Sequence, residues 1–347
     1  MLKRSLCLMV LLSPFLVAAQ QPRTGQTFEQ VSKVNIEDDE TYSPHIEHPA
    51  FNKDGPVVLL DEGHGNPHFD KAFAKLVSAD GYQVRVSRDK LTYEDLGKAR
   101  ILVIMNSGLF MPLSWLENPH PLFSDVEAAA VRDWVLGGGS LLFAPNTSKA
   151  EAGDMVLSRL GLELIYDPVS DPDLVTVSSA TKSPFGSKAF VRERNMLASH
   201  GIMAGRSEAE RVDTVMINGF KAFRNVPDNA IALFHCSGKA NYTPRDALLK
   251  KQALEAARAV QTGPQTESQP LAGLRVAPIP VPGIPVAVAF TLGKGRVVVL
   301  GGSSPISSVV RETVFQGQKA VQTSGLKDAD NQKFTLNTMH WLTGLME

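Results

Sequence analysis

The sequence predicts an α/β fold of three layers, with a mainly parallel, doubly wound sheet and β-rich additions. Three short apolar runs are typical of strands buried on both faces, and they lie at residues 57–60, 101–105 and 140–144. Helical patterns occur between and after these runs, at residues 69–79, 124–136 and 151–160. Strands that alternate with helices through short links are characteristic of a parallel sheet covered by helices on both faces.

The composition is that of a folded globular protein with a sizeable core. The chain has 347 residues, of which 43% are hydrophobic and 20% charged, and its formal net charge is −1. No stretch forms a strongly basic field. We therefore expect no nucleic acid among its partners.

Residues 1–19 have the pattern of a secretory signal peptide. Two basic residues, Lys3 and Arg4, precede an apolar run, and Val17-Ala18-Ala19 fits the small-residue cleavage rule. An uncleaved membrane anchor is the alternative, but Pro14 and the shortness of the run argue against it. The sequence thus predicts an exported protein, periplasmic or extracellular, without a transmembrane anchor after cleavage.

After the signal peptide we expect a flexible leader and arm over residues 20–50, which are polar and carry the acidic run Glu37–Glu40. A single α/β domain is then predicted over residues 51–347. Its first strand, at 57–60, is followed by the helix at 69–79, which ends at Asp80-Gly81. The spacing Ser124-Asp125-Val126-Glu127 is that of a capping box and opens the second long helix.

The second half of the chain is less regular. Strands are predicted at 214–217 and 230–234, a hairpin at 287–300 around Gly293-Lys294-Gly295, and a final helix at 331–345. Between them we expect an insertion with a flexible loop at about 243–275. It contains an amphipathic helical pattern followed by a segment rich in Gln, Thr, Ser and Pro.

The loop after the first strand contains the densest group of site-competent side chains: Asp61, Glu62, His64, Asn66 and His68. In open α/β sheets ligands bind at the carboxyl ends of strands, so a pocket is expected here. The alternative is a loop that only caps the next helix, because Asn66-Pro67 suits an N-cap followed by proline.

Other strand ends would line the same edge with small polar groups, namely Asn106, Ser107, Asn146 and Ser303. Such groups suit a neutral polar ligand and are poor at completing a metal shell. We expect no cofactor. If a divalent metal binds, Asp61, His64 and His68 are the candidate ligands, since carboxylate and imidazole both ligate borderline metals.

The nucleophile signals are weak, and no residue is assigned a catalytic role. The sequence contains no Gly-x-Ser-x-Gly or Gly-x-Cys-x-Gly elbow. Because Cys7 leaves with the signal peptide, Cys236 is the one cysteine of the mature chain, which excludes an internal disulfide. Adjacent strand residues point to opposite faces, so Cys236 and His235 cannot pair directly, and a buried inert thiol is expected.

Several motifs together resemble those of a bacterial protein family. They are Asp61-Glu62-Gly63-His64 with Asn66 and His68, Phe123-Ser124-Asp125-Val126-Glu127, Gly138-Gly139-Ser140-Leu141-Leu142, Ser199-His200-Gly201-Ile202, Gly295-Arg296-Val297-Val298-Val299-Leu300-Gly301 and His340-Trp341-Leu342. The set is similar to that of uncharacterised exported proteins of a domain-of-unknown-function family. The resemblance covers roughly residues 42–345 and implies a class I glutamine amidotransferase-like, flavodoxin-like fold, with no assigned reaction.

The chain also departs from that family's pattern at three places: Pro145-Asn146, Gly301-Gly302 and Asn218-Gly219-Phe220. Each change removes polar or ionisable groups from the expected ligand edge. Because the sequence lacks the cysteine elbow of a glutamine amidotransferase, we do not expect it to hydrolyse glutamine. We therefore expect a non-enzymatic domain that binds or scaffolds a small polar ligand, a glycan or an envelope protein. The alternative is an envelope-associated hydrolase that uses the Asp61-Glu62-His64-His68 loop.

Overall fold

The computed structural model describes residues 31–64, 71–105, 122–145, 153–177, 187–244, 277–315 and 318–347. The predicted signal peptide and nearly all of the predicted insertion at 243–275 lie outside these residues. Within them, the chain combines α-helices with one seven-stranded mixed sheet and several smaller sheets. No helix in these ranges is long and apolar enough to span a bilayer.

The elements are numbered here in chain order. The strands are β1 (Val31–Asp38), β2 (Val57–Asp61), β3 (Gln83–Ser87), β4 (Ile101–Met105), β5 (Ser140–Ala144), β6 (Glu163–Ile165), β7 (Val169–Ser170), β8 (Val175–Val177), β9 (Ser187–Val191), β10 (Thr214–Ile217), β11 (Ala222–Asn225), β12 (Ile231–His235), β13 (Asn241–Tyr242), β14 (Ile279–Pro280), β15 (Pro285–Leu292), β16 (Gly295–Leu300), β17 (Ser308–Phe315) and β18 (Gln318–Gly325). The helices are α1 (Lys71–Ala79), α2 (Tyr93–Leu96), α3 (Asp125–Gly137), α4 (Asp154–Arg159), α5 (Gly201–Ala204) and α6 (Asn331–Thr343).

The seven-stranded sheet has the order β12-β15-β16-β5-β4-β2-β3. Strands β16, β5, β4, β2 and β3 run parallel, while β15 is antiparallel to both of its neighbours. The three apolar runs of the sequence are confirmed as β2, β4 and β5, and the predicted hairpin is confirmed as β15–β16. Every residue of β4 and β5 is buried.

Helices cover both faces of this sheet. Along β4, Ile101 and Val103 pack into a core with α1, α5 and α6, whereas Leu102 and Ile104 pack into a second core with α2, α3 and α4. This division follows from the two-residue period of a strand, which sends successive side chains to opposite faces. A strand that is apolar at every position therefore supplies both cores.

The capping box that the sequence predicts at the start of α3 is present. The Ser124 side chain accepts a hydrogen bond from the Glu127 N–H, and the Glu127 carboxylate accepts one from the Ser124 N–H. The helix ends at Gly138, whose φ of 122° lies in a region that favours glycine. Local sequence chemistry thus defines both ends of this helix.

The amino-terminal part differs from the expectation. Residues 31–38 were expected to belong to the flexible leader, but they form strand β1, which pairs antiparallel with β17. Strand β17 also pairs with β18, giving a three-stranded sheet beside the main one. The sequence gives little sign of this pairing, because the paired residues of β1 and β17 lie more than 270 positions apart and β1 is mostly polar.

A buried aspartate attaches the arm and the last helix to the end of α1 through hydrogen bonds. One carboxylate oxygen of Asp80 accepts a hydrogen bond from the Ala50 N–H at 2.8 Å, and the other lies 2.7 Å from His340 Nε2. Asp80 and His340 are both almost completely inaccessible to solvent. One carboxylate thus holds two segments that are distant in sequence.

Replacing Asp80 with alanine should destabilise the fold by about 1–3 kcal/mol, because it leaves Nε2 of the buried His340 without its hydrogen-bond partner. The measurement is the free energy of unfolding from denaturant titration. Asp54→Ala is the control, since Asp54 is exposed and its loss should change stability by no more than about 0.5 kcal/mol. Equal effects of the two substitutions would contradict this role of Asp80.

Candidate functional site

The candidate site begins where β2 ends. Asp61 is the last residue of this strand, so its carboxylate lies at the carboxyl edge of the parallel part of the sheet. Asp61 and His64 are both buried, with exposed fractions of 5% and 6%. Buried ionisable groups need compensating partners, and the surrounding residues provide them.

His64 lies between two carboxylates. Its Nδ1 atom is 2.9 Å from both oxygens of Asp61, and its Nε2 atom is 3.1 Å from Oε1 of Glu127. A ring protonated on both nitrogens can donate to both carboxylates at once, so this arrangement favours the imidazolium form of His64. The Phe123 ring stacks on it with centroids 4.1 Å apart. We call Asp61, His64 and Glu127 the imidazolium clamp.

Glu127 extends the clamp to two further segments. Its Oε2 atom accepts hydrogen bonds from the Ser124 N–H at 2.9 Å and from the Ser124 hydroxyl at 2.6 Å. Its Oε1 atom also accepts a hydrogen bond from the Leu91 N–H at 3.2 Å. The same side chain therefore caps α3, holds the segment before α2 and neutralises His64.

The electrostatics of the clamp favour its ionised form. Burial works against the charged imidazole, but the carboxylates of Asp61 and Glu127 outweigh it and raise the pKa of His64 above its ordinary value. Burial likewise opposes the charge of Glu127, yet the hydrogen bonds from Ser124 and the charge of His64 lower the pKa of Glu127. Both shifts favour the charged forms of His64 and Glu127 over their neutral forms.

Of the nine predicted pocket residues, the structure brings Asp61 and His64 together and directs Glu62 elsewhere. The Glu62 carboxylate pairs at 2.9 Å with Arg88, the residue after β3. Ser303 lies after β16, immediately before the 3₁₀ segment Ser304–Ile306, and is half-buried. Strands β16 and β2 are three positions apart, so their ends are separated by about 14 Å. The other five, Asn66, His68, Asn106, Ser107 and Asn146, lie outside the described residues.

The clamp also bears on the candidate metal ligands. In the part of the chain that the structure describes, no group of three or more His, Cys, Asp or Glu side chains is arranged to hold a metal ion. Asp61 and His64 bind each other, and each ring nitrogen of His64 already faces a carboxylate. His68, the third candidate, lies outside these residues.

Sequence reasoning missed Glu127 as part of the site. The sequence marks it only as the third residue of a capping box, and nothing in its spacing relates it to His64, 63 positions earlier. Phe123 was likewise noticed only within a family motif. The one available signal is that a strand-end histidine beside an aspartate needs a second acceptor if its ring is buried and charged.

The far end of the same edge is formed by two loops packed closely together. The Lys221 N–H donates to the Gly301 carbonyl at 2.8 Å, and the Asn218 N–H donates to the Ser304 hydroxyl at 2.7 Å. A Cβ atom at Gly301 would lie 2.0 Å from the Lys221 carbonyl oxygen, so this approach requires glycine. Lys221 itself is buried, and its ammonium group donates to the carbonyl of Tyr166.

Cys236 is buried just after β12, as the sequence predicts for an inert thiol. Burial raises its pKa far above the ordinary thiol value, which suppresses the nucleophilic thiolate. The neighbouring imidazole of His235 contacts the Cys236 carbonyl oxygen at 2.8 Å, not the thiol.

Comparison with known proteins adds little to this geometry. No protein-family model matches the chain. No curated protein matches it. Among solved structures, the mmIFT52 N-terminal domain is similar over 83% of this chain and 97% of its own, with 12% identity and a TM-score of 0.49. A cytoplasmic protein from Salmonella typhimurium LT2 is similar over 82% of this chain and 98% of its own, with 15% identity and a TM-score of 0.42. At these values the similarity supports no functional inference.

His64→Ala should destabilise the protein by about 3–5 kcal/mol near pH 6, because it removes the shared partner of two buried carboxylates. The pKa of His64 is raised in the folded state. Its contribution to the free energy of unfolding is therefore complete below the ordinary histidine pKa of about 6.5. This contribution is then lost as the pH rises through the folded-state value. The difference in unfolding free energy between wild type and variant should therefore shrink above neutral pH.

Denaturant titrations from pH 6 to 10 measure this difference. His45→Ala is the matched control, since His45 is exposed on the arm, and it should leave stability within about 0.5 kcal/mol of wild type. A wild-type minus His64→Ala difference that does not change with pH would show that His64 is not an imidazolium in the folded protein.

In a chain that begins at Gln20, the Cys236 thiol should react with a disulfide reagent only as fast as the protein opens. Denatured protein should release one equivalent of chromophore at once, because the thiol is then exposed and ionises normally. Rapid reaction of the native protein would contradict the burial of this residue.

Proposed function

We propose that this chain is an exported α/β domain that binds or scaffolds a small polar ligand, a glycan or an envelope protein at the carboxyl edge of its sheet. The imidazolium clamp is the observation that supports this proposal. Its three ionisable side chains bond one another, and together with the donors of Ser124 and Leu91 they hold three segments in place beneath the edge. Such an arrangement suits a rigid platform for a ligand better than it suits proton transfer.

We further propose that the chain belongs to the exported domain-of-unknown-function family whose motifs it resembles, with a class I glutamine amidotransferase-like, flavodoxin-like fold. The parallel strands support this proposal, because β3-β2-β4-β5-β16 is the flavodoxin-like order 2-1-3-4-5. In that order ligands bind where the first and third strands diverge. Here this point lies between the ends of β2 and β4, which are Asp61 and Met105.

Export is supported by the sequence of residues 1–19, which has the basic, apolar and small-residue regions of a signal peptide. A protein delivered to the cell envelope would meet glycans and envelope proteins there, which is why these classes of ligand are proposed.

The hydrolase alternative receives less support. A general base needs a free lone pair that points towards the substrate. In the clamp, each nitrogen of His64 already faces a carboxylate, and Glu62 is paired with Arg88. His68 is the remaining imidazole of the loop that could act on a substrate.

Titration calorimetry of the mature chain with soluble muropeptides tests the binding proposal. We expect His68→Ala and Asn106→Ala to weaken binding about ten-fold each, as the loss of one hydrogen bond to the ligand would. His45→Ala, on the exposed arm, should bind like wild type.

Equal binding by all of these variants would place the ligand elsewhere on the molecule. Hydrolysis of a muropeptide or a chromogenic ester by the wild type, abolished in His68→Ala, would overturn the binding proposal in favour of the hydrolase.

A further inference from the structure

Strand β3 forms an open edge of the seven-stranded sheet. It pairs only with β2 among the described strands. The Gln83 N–H donates to the Pro56 carbonyl, and the Ser87 carbonyl accepts a hydrogen bond from the Glu62 N–H. The odd-numbered residues of β3 thus direct their backbone groups towards β2.

The backbone groups of Val84 and Val86 consequently point away from the sheet, because the direction alternates along a strand. The side chain of Val86 is also 41% exposed. A strand that presents free N–H and C=O groups beside an apolar side chain is a template for pairing with another strand.

A groove of about 240 Å³ runs along this edge over Leu59 and is lined by both Arg85 and Asp89. The other charged residues of the groove are paired: Arg88 with Glu62 at 2.9 Å, and Lys98 with Asp95 at 3.1 Å. Arg85 and Asp89 are both exposed, and neither forms an ion pair within the described residues. The edge thus carries one unmatched cation and one unmatched anion, four residues apart.

We propose that β3 pairs antiparallel with β3 of a second copy of this chain, about a two-fold axis at Val86. The outward backbone groups of the two Val86 residues then bond each other, and those of Val84 bond Arg88 of the second copy. Arg85 of one copy then lies opposite Ser87 of the second copy and diagonal to Asp89 of that copy. The long side chain of Arg85 can reach this diagonal position.

Charge selects this register. An axis at Arg85 would place two guanidinium groups directly opposite each other, which is destabilising. With the axis at Val86, Arg85 of each copy comes close to Asp89 of the other copy. The two-fold symmetry therefore gives this contact twice. An isologous contact of this kind closes after two subunits and joins two seven-stranded sheets into one. This pairing does not depend on which ligand binds at the carboxyl edge.

Sedimentation equilibrium of the mature chain tests the proposal. We expect the wild type to dimerise with rising concentration. Arg85→Asp and Asp89→Arg should each weaken the dimer about ten-fold or more, because each places like charges in proximity at two symmetric positions. A mixture of the two variants should form a heterodimer about as tight as the wild-type dimer, since opposite charges then face each other.

Val86→Pro is a second, independent variant. It removes an N–H that points away from β2. The hydrogen bonds between β2 and β3 within each subunit remain, whereas each β3 strand can donate one hydrogen bond fewer to the other copy. We expect it to be monomeric and folded by circular dichroism. A wild type that remains monomeric at the highest concentration overturns the proposal, and so does a variant mixture that associates no better than either variant alone.

Discussion

The burial of parallel strands on both faces is the constraint on which the rest of the structure depends. Strands β4 and β5 have no exposed residue, so each must be covered from both sides. Helices α1, α5 and α6 cover one face, and α2, α3 and α4 cover the other. Because the strands are parallel, their carboxyl ends meet at one edge, and this topology concentrates polar loop residues there.

Two buried histidine–carboxylate contacts hold opposite ends of this layered structure. At the carboxyl edge, His64 joins Asp61 to Glu127, and at the amino edge His340 joins Asp80. Removing charges from water is costly, so such pairs persist only where geometry and further hydrogen bonds compensate. At the clamp, N–H donors from Ser124 and Leu91 and the positive end of the α3 dipole offset the second carboxylate.

The same clamp limits what the site can do chemically. An imidazolium between two carboxylates is well suited to fixing the loop and poorly suited to accepting a proton. The clamp itself fixes the end of β2, the segment at Leu91 and the start of α3. The open edge at β3 is a separate consequence of the sheet, since the outermost strand of any open sheet has unpaired backbone groups.

Much of the fold could be predicted from the sequence because the relevant signals are local. The apolar runs predicted β2, β4 and β5. The spacing of Ser124 and Glu127 predicted the start of α3, and the glycines around Lys294 predicted the hairpin β15–β16. The candidate loop at Asp61 followed from the rule that ligands bind at strand ends. The separation of Glu62 from Asp61 could have been anticipated as well, because consecutive residues at the end of a strand point to opposite faces.

The sequence by itself thus determined which main segments are strands and which are helices, the capping of α3 and the position of the polar loop. Only the tertiary structure decided that His64 meets Glu127, that Asp80 meets His340 and that residues 31–38 pair with β17. These contacts join residues 63 to more than 270 positions apart, and no periodicity within a short window encodes them. They arise when packing of the two cores brings distant segments together, and burial then requires every charge to find a partner.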